Sequence, residues 1–154
     1  MTYKIREAIT ADLATTWVWR NDPVTRAMAR VATPVSPAQY MAWYNSVAQS
    51  PYHLLLVAEK DNSLIAYAWF APFKDPGSVT ITLTLGADFR GQGHGAALIP
   101  LFTKEAASKL KAREIVAHIR TENAPSHKVF TRAGFEACGV KDGIHRYRLP
   151  VFIS

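Results

Sequence analysis

The chain has one cysteine, Cys138, among 154 residues. That excludes an intrachain disulfide and a cysteine-rich zinc site, and no metal is expected. Cys138 reads as a small buried hydrophobe rather than a nucleophile. No apolar run approaches the roughly 20 residues that span a bilayer. The start, Met1-Thr2-Tyr3-Lys4-Ile5-Arg6-Glu7, lacks the apolar stretch of a secretory signal, so a cytoplasmic protein is expected. Repeats, low-complexity tracts and long linkers are also absent. Charged residues make up only 19% against 49% hydrophobic, which suits one packed domain over 1–154 rather than a disordered chain. The net charge of +6 favours anionic ligands. Lys and Arg are scattered, however, so neither nucleic acid nor a membrane is an expected partner.

The hydrophobic pattern divides the chain into alternating elements. Tyr3 to Ile9 reads as a strand. Asp12 is placed to cap a helix through Trp17 and Trp19, which Asn21-Asp22-Pro23 breaks. Ser36-Pro37 opens a second helix carrying Tyr40, Met41, Tyr44 and Val47. Leu54–Ala58 and Leu64–Phe70 form a hairpin around Asp61-Asn62. Ser78 to Leu85 alternates aliphatic residues with threonines at period two. Gly93 to Leu110 is a long amphipathic helix that Pro100 should bend. Ile115–Ile119 is a strand and Ala124–Ala133 a short helix closed by Gly134. Phe135–Val140 and His145–Leu149 make a last hairpin. The order is strand, two helices, three strands, helix, strand, helix, two strands: an α/β (α+β) layer fold.

The densest signal is Arg90-Gly91-Gln92-Gly93-His94-Gly95-Ala96, between a strand and a helix. Closely spaced glycines admit a ligand near the backbone, and exposed N–H groups at a helix start bind anions. Arg90 can add a charge-assisted contact. The Gly-Lys-Ser/Thr ending of a Walker loop is missing, and the glycine spacing is not that of a dinucleotide fold. A ligand-free turn is the bland alternative. Downstream, Asn123 closes a strand, a helix follows, and Ala133-Gly134-Phe135 ends it.

Together, Arg-x-x-Gly-x-Gly and the Asn…Ala-Gly-Phe segment resemble the two halves of the acyl-CoA site of the GNAT superfamily of N-acetyltransferases. That resemblance implies a mixed, mostly antiparallel sheet of about seven strands flanked by four helices. It implies acetyl-CoA in an opening between the fourth and fifth strands. Leu83 and Leu85 would pair with the pantetheine amides, and Arg90, Gly91, Gln92, Gly93, His94, Gly95 and Ala96 would hold the pyrophosphate. The His94 ring would point to solvent or the adenine. Asn123, Ser126 and Phe130 would border the pantetheine arm, and a backbone N–H near Leu85 would meet the oxyanion. Many relatives carry Tyr where this chain has Phe130, and Glu where it has Ser78-Val79-Thr80. His118 and Glu122 are the candidate replacements for catalysis; Tyr40, Tyr67 and Tyr147 could supply a phenol. Each also has a plain packing or surface role open to it.

The resemblance implies an amine as the acceptor. Trp19-Arg20-Asn21-Asp22-Pro23, with Trp43 in the following helix, is similar to the N-terminal segment of UDP-4-amino-sugar acetyltransferases. Arg20, Asn21, Tyr40 and Trp43 are therefore candidate acceptor contacts, with Arg20, Arg26 and Arg30 suited to a diphosphate. Trp19 and Trp43 could equally just pack the first two helices together. A ribosomal-protein type N-terminal acetyltransferase and a non-catalytic acyl-CoA-binding regulatory domain are the alternatives. A monomer or homodimer is expected.

Overall fold

The computed structural model describes residues 2–29 and 32–152. Seven strands form one sheet: β1 (Lys4–Glu7), β2 (Leu54–Lys60), β3 (Ser63–Pro72), β4 (Ser78–Leu85), β5 (Glu114–Arg120), β6 (Glu136–Lys141) and β7 (Ile144–Pro150), in the order β1-β2-β3-β4-β5-β7-β6. Among the described residues every neighbouring pair is antiparallel except β4 and β5. Helices α4 (His94–Leu110) and α5 (Ala124–Arg132) belong to one side of the sheet; α1 (Leu13–Asn21), α2 (Pro23–Met28) and α3 (Pro37–Ala48) belong to the other. The sheet alternation sorts the two cores. Leu56, Phe70, Ile81 and Ala117 join Leu98, Phe102 and Phe130 on the α4/α5 side. Leu55, Val57 and Tyr67 meet Leu13 and Tyr40 on the other. No helix among the described residues is long and apolar enough to cross a membrane.

The expected fold class and the seven strands are found, with one helix more than expected. Asn21-Asp22-Pro23 ends α1 and also starts α2. Asp22 accepts from the N–H groups of Val24 and Thr25, and Pro23 occupies the first helical position, where no N–H is needed. Pro100 does not interrupt α4, which continues to Leu110. Cys138 is exposed rather than buried, because β6 is an edge strand whose residues all face solvent. Gly95 is buried where α4 crosses α5. A Cβ there would lie 3.1 Å from Val129 Cγ1, so the third glycine of the turn serves helix packing.

Asp12 does not cap α1 with its side chain. Its carboxylate turns back, accepting from Ile9 N–H at 2.8 Å and from both ends of the Arg6 guanidinium at 2.7 and 2.9 Å. Arg6 also reaches Glu59 at 2.7 Å, which ties the entry to α1 onto β1 and β2. The hydrogen bonds from Arg6 hold the Asp12 carboxyl below the usual carboxylate range. Asp12→Ala should therefore cost about 2–4 kcal/mol in denaturant melts, since it takes the acceptor from two Arg6 N–H groups and from Ile9 N–H and leaves Arg6 with Glu59 alone. A native pKa below the unfolded value of about 3.9 gives stabilisation that is complete above that pH and fades as pH falls through the native value. The gap between wild type and variant should accordingly narrow below about pH 4.

Candidate active site

The ladder joining β4 to β5 is short. Ser78 faces Glu114, Val79 faces Ile115 and Thr80 faces Val116; beyond these the strands separate. The closed end is clamped. Gly77 O accepts from the N–H groups of Arg113 at 2.7 Å and Glu114 at 3.1 Å, and Ser78 Oγ donates to Glu114 at 2.9 Å. Meanwhile β4 stays paired with β3 through Leu85, and β5 with β7 through Arg120. The sheet is therefore split, not frayed.

The split presents backbone groups. At the two ends of the β3/β4 ladder, Phe73 N–H donates to Ser78 O and Gly86 N–H to Ile65 O, both at 2.9 Å. Antiparallel pairs alternate in which residues bond their partner. Even-numbered residues of β4 therefore face β3, and the N–H and C=O groups of Ile81, Leu83 and Leu85 face the opening. The side chains of Leu83 and Leu85 are half-buried and packed on the α4/α5 core.

The glycine turn follows β4. Gly91 and Gly93 have φ of +71° and +85°, conformations that side chains resist, and an added Cβ at either would meet nothing within 4 Å. Gly91, Gln92 and Gly93 are exposed, and Gly93 is the N-cap of the 17-residue α4. The first amides of that helix, with half-buried Ala96 in its first turn, make an anion-accepting end. Gln92 steadies the turn by donating to Asp88 O at 2.7 Å. Two side chains lie elsewhere than expected. His94 is buried, its Nδ1 hydrogen-bonded to Tyr3 OH at 2.7 Å, because the first turn of α4 packs against the N-terminal segment. The Arg90 guanidinium turns toward α2, donating to Asp22 Oδ2 and Thr25 Oγ1, each at 3.0 Å.

At the start of α5, Asn123 Oδ1 accepts from Ser126 N–H at 3.4 Å, so Asn123 is the N-cap. Ser126 is half-buried. Phe130 is core, edge-on to Phe135 at 5.0 Å. Glu122 is exposed in the turn after β5, 4.0 Å from Arg120, and does not line the cavity described next.

On the opposite face of the split lies a cavity of about 480 Å³. Tyr40, Trp43, Tyr67 and Trp69 form its aromatic walls, and Arg20 and His118 face into it with Thr80 and Thr82. Trp43 stacks on Tyr40 at 5.2 Å and meets Trp69 edge-on at 4.7 Å. Trp19 instead lies on Gly86, where a Cβ would sit 2.8 Å from the indole. Neither tryptophan merely joins α1 to α3. Burial pushes the Tyr40 phenol up to about 12 and raises that of Tyr67. The Tyr40 hydroxyl donates to Thr16 at 2.9 Å, and that of Tyr67 is engaged with Thr84. Tyr147 lies on the α4/α5 side, hydrogen-bonded to His127. His118 is the imidazole among the lining residues.

Of the expected acceptor contacts, Asn21 is a correction. Its amide donates to Val35 O at 2.7 Å and accepts from Val35 N–H at 2.8 Å, so it holds backbone instead of facing the cavity. Arg26 is also committed to backbone, donating to Asn21 O at 3.0 Å and Ala32 O at 3.4 Å. Arg30 lies outside the described residues. Trp69, Thr80 and Thr82 also line the cavity and are not among the candidates read from the sequence. Their signal was the period of two, which places Tyr67 and Trp69 on one face of β3 and the threonines on one face of β4.

Residues 4–136 match the acetyltransferase (GNAT) domain family. The chain is 31% identical over 144 residues to an L-methionine sulfoximine/L-methionine sulfone acetyltransferase of Pseudomonas aeruginosa, covering 90% of this chain and 83% of the relative. The crystal structure of a ribosomal-protein-alanine N-acetyltransferase from Brucella melitensis superposes with a TM-score of 0.82 at 25% identity, covering 96% of this chain and 99% of that one. A GNAT superfamily phosphinothricin acetyltransferase from Sinorhizobium meliloti, solved in complex with acetyl-CoA, superposes with a TM-score of 0.81 at 23% identity, covering 98% and 89%. With its split sheet and open glycine turn, and with a family match over most of its length, the chain belongs to the GNAT acetyltransferases.

Proposed function

We propose that the protein transfers acetyl from acetyl-CoA to the primary amine of a small metabolite that also carries a carboxylate. An amino acid with a polar side chain is the class that suits the cavity best. The observation that carries this reading is Arg20, set among four aromatic rings beside the mouth of the split. A guanidinium pairs with a carboxylate through two parallel hydrogen bonds. The rings cover an aliphatic stem, and about 480 Å³ suits a ligand of that size. The relative from Pseudomonas aeruginosa acts on amino acids of this kind.

A UDP-linked amino sugar has less support. Of the Trp-Arg-Asn-Asp-Pro run only Arg20 lines the cavity, and Arg26 is spent on backbone carbonyls. A ribosomal-protein N-terminus draws on the Brucella neighbour and on a Bacillus subtilis relative 26% identical over 106 residues, named as a putative ribosomal-protein bS18-alanine N-acetyltransferase, and no cavity residue speaks for it. Against a purely regulatory domain stands His118, a proton acceptor facing the acceptor cavity.

The residues around the split fit acetyl-CoA. The outward N–H and C=O groups of Leu83 and Leu85 suit amides of a pantetheine arm, in the manner of strand addition. The amides of 91–96 suit a pyrophosphate, and the cap at Asn123 engages only its carbonyl oxygen, leaving its NH₂ for a ligand. When bound, acetyl-CoA would supply an activated thioester, whose acyl carbon bonds to the amine as its C–S bond breaks, and coenzyme A would leave as a thiolate that takes the amine's second proton through solvent. The residues of the chain then have separate tasks. Arg20 and the aromatic walls orient the acceptor. The His118 imidazole takes a proton from its ammonium, leaving a neutral amine to attack. A backbone N–H at the Leu85 end of β4 stabilises the oxygen on which charge develops. Phe130 has no proton to give, and burial makes Tyr40 and Tyr67 poorer acids than a free phenol.

Turnover is tested by thiol release from acetyl-CoA with L-methionine sulfone, UDP-amino sugars, peptides and polyamines. Activity on peptides or sugars without amino acids would sink the proposed class. Arg20→Met should raise the acceptor KM about tenfold, the loss of one charged hydrogen-bonding group, with the acetyl-CoA KM nearly unchanged. His118→Gln should lower kcat by about 10²-fold or more and abolish the rise of rate with pH that deprotonation of a base produces. Gly93→Val forces a β-branched residue to φ of +85° in the space a phosphate would use. Coenzyme A affinity by calorimetry should fall at least tenfold; unchanged affinity in a folded variant would remove the turn from the cofactor site.

A further inference from the structure

The acceptor cavity has a wall that belongs neither to the sheet nor to a long helix. Met28, Ala29 and Val35 line it opposite Ile81 and His118, and they come from the segment that runs through α2 to Ser36. Among its described residues that strap has little core of its own, since α2 has no fully buried residue. Directed polar contacts hold it instead, and they come from the ends of the two strands that part.

Beyond β4, Arg90 grips the start of α2 through Asp22 and Thr25, each at 3.0 Å. The bond from Arg90 keeps the Asp22 carboxyl below its ordinary range. At the end of β5, Arg120 Nε donates to Ala29 O at 3.0 Å, across 91 positions of sequence. Arg120 is itself fixed. Its carbonyl accepts from His127 Nε2 at 2.9 Å, and His127 Nδ1 is hydrogen-bonded to Tyr147 OH at 2.6 Å. At the far limb, Trp17 Nε1 and the Asn21 amide both donate to Val35 O at 2.7 Å. The strap is thus fastened once to each side of the split.

We propose that Arg90 with Asp22, and Arg120, are positioning residues for the acceptor: two clasps that hold the strap wall across the split at the spacing of its two edges. Arg90 opens the cofactor turn in sequence, yet its side chain serves the acceptor. Acceptor binding depends on both clasps, and acetyl-CoA binding does not. The inference rests on the cavity being the acceptor site.

Arg90→Met and Arg120→Met remove the guanidinium donors and keep the aliphatic stems; Asp22→Asn removes charge but keeps a good N-cap. Hydrogen exchange on the unliganded protein reads the clasps without any substrate. Amides of 23–29 and 32–36 should exchange about fivefold to tenfold faster in the two arginine variants, with α4 unchanged. Kinetics with acetyl-CoA and L-methionine sulfone should show the acceptor KM rising about as much, the acetyl-CoA KM constant, and partial rescue by Arg120→Lys. Unchanged exchange in the strap overturns the proposal. So does a raised acetyl-CoA KM in Arg90→Met that Asp22→Asn does not share, which would make Arg90 a phosphate ligand. A wild-type protein inert toward L-methionine sulfone would count against the substrate class alone, and the exchange measurement would still decide the clasps.

Discussion

A three-residue parallel ladder is the constraint from which the rest of this molecule follows. β4 and β5 are joined only from Ser78 to Thr80, while each keeps a continuous antiparallel partner on its other side. Parallel pairing is slightly weaker per residue than antiparallel pairing, so a sheet that must open does so most cheaply at its parallel seam. Ser78, Glu114 and the Gly77 carbonyl hold the closed end. The result is an opening lined by oriented backbone N–H and C=O groups, with no loss of the sheet on either side.

The two faces of that opening have different chemistry because of strand alternation. On one side Ile81, Leu83 and Ala117 continue the core beneath α4 and α5, and the first turn of α4 brings its amides to the end of β4. On the other, Thr80, Thr82 and His118 look into the aromatic cavity with Arg20. A group bound through the split has access to both. The Trp-Arg-Asn-Asp-Pro run gives the second face one lining residue and several supports. Trp19 lies on Gly86, Arg20 enters the cavity, Asn21 pins Val35, Asp22 caps α2 and meets Arg90, and Pro23 begins the helix. A motif that resembles a substrate signature is here mostly a scaffold for one arginine.

Much of this was legible in the sequence where the signal is local. The period of two in 78–85, the glycines at 91 and 93, and Ser36-Pro37 each act through near neighbours, and each stands where it was expected. What went astray depended on partners distant in sequence. Asp12 has the chemistry of a cap, but Arg6 and Ile9 N–H compete for its carboxylate and win. His94 sits in the glycine turn, but Tyr3 draws its ring inward. Cys138 looks apolar enough to bury, but its strand falls at the sheet edge.

The sequence by itself determined the strands, four of the five helices, their order and the glycine turn at the start of α4, because backbone conformation and hydrophobic period are properties of short stretches. Only the tertiary structure decided which polar side chains are committed to backbone groups and which line the cavity. Arg20 and Arg26 are the same residue type six positions apart. One faces an aromatic cavity, and the other is consumed by two backbone carbonyls. The difference lies in what α3, β3 and the strap place beside each, and no local pattern carries that. His118 and Glu122 divide the same way: strand alternation beyond the end of the β4–β5 ladder turns His118 into the cavity, while Glu122 lies past the last sheet pair, in water.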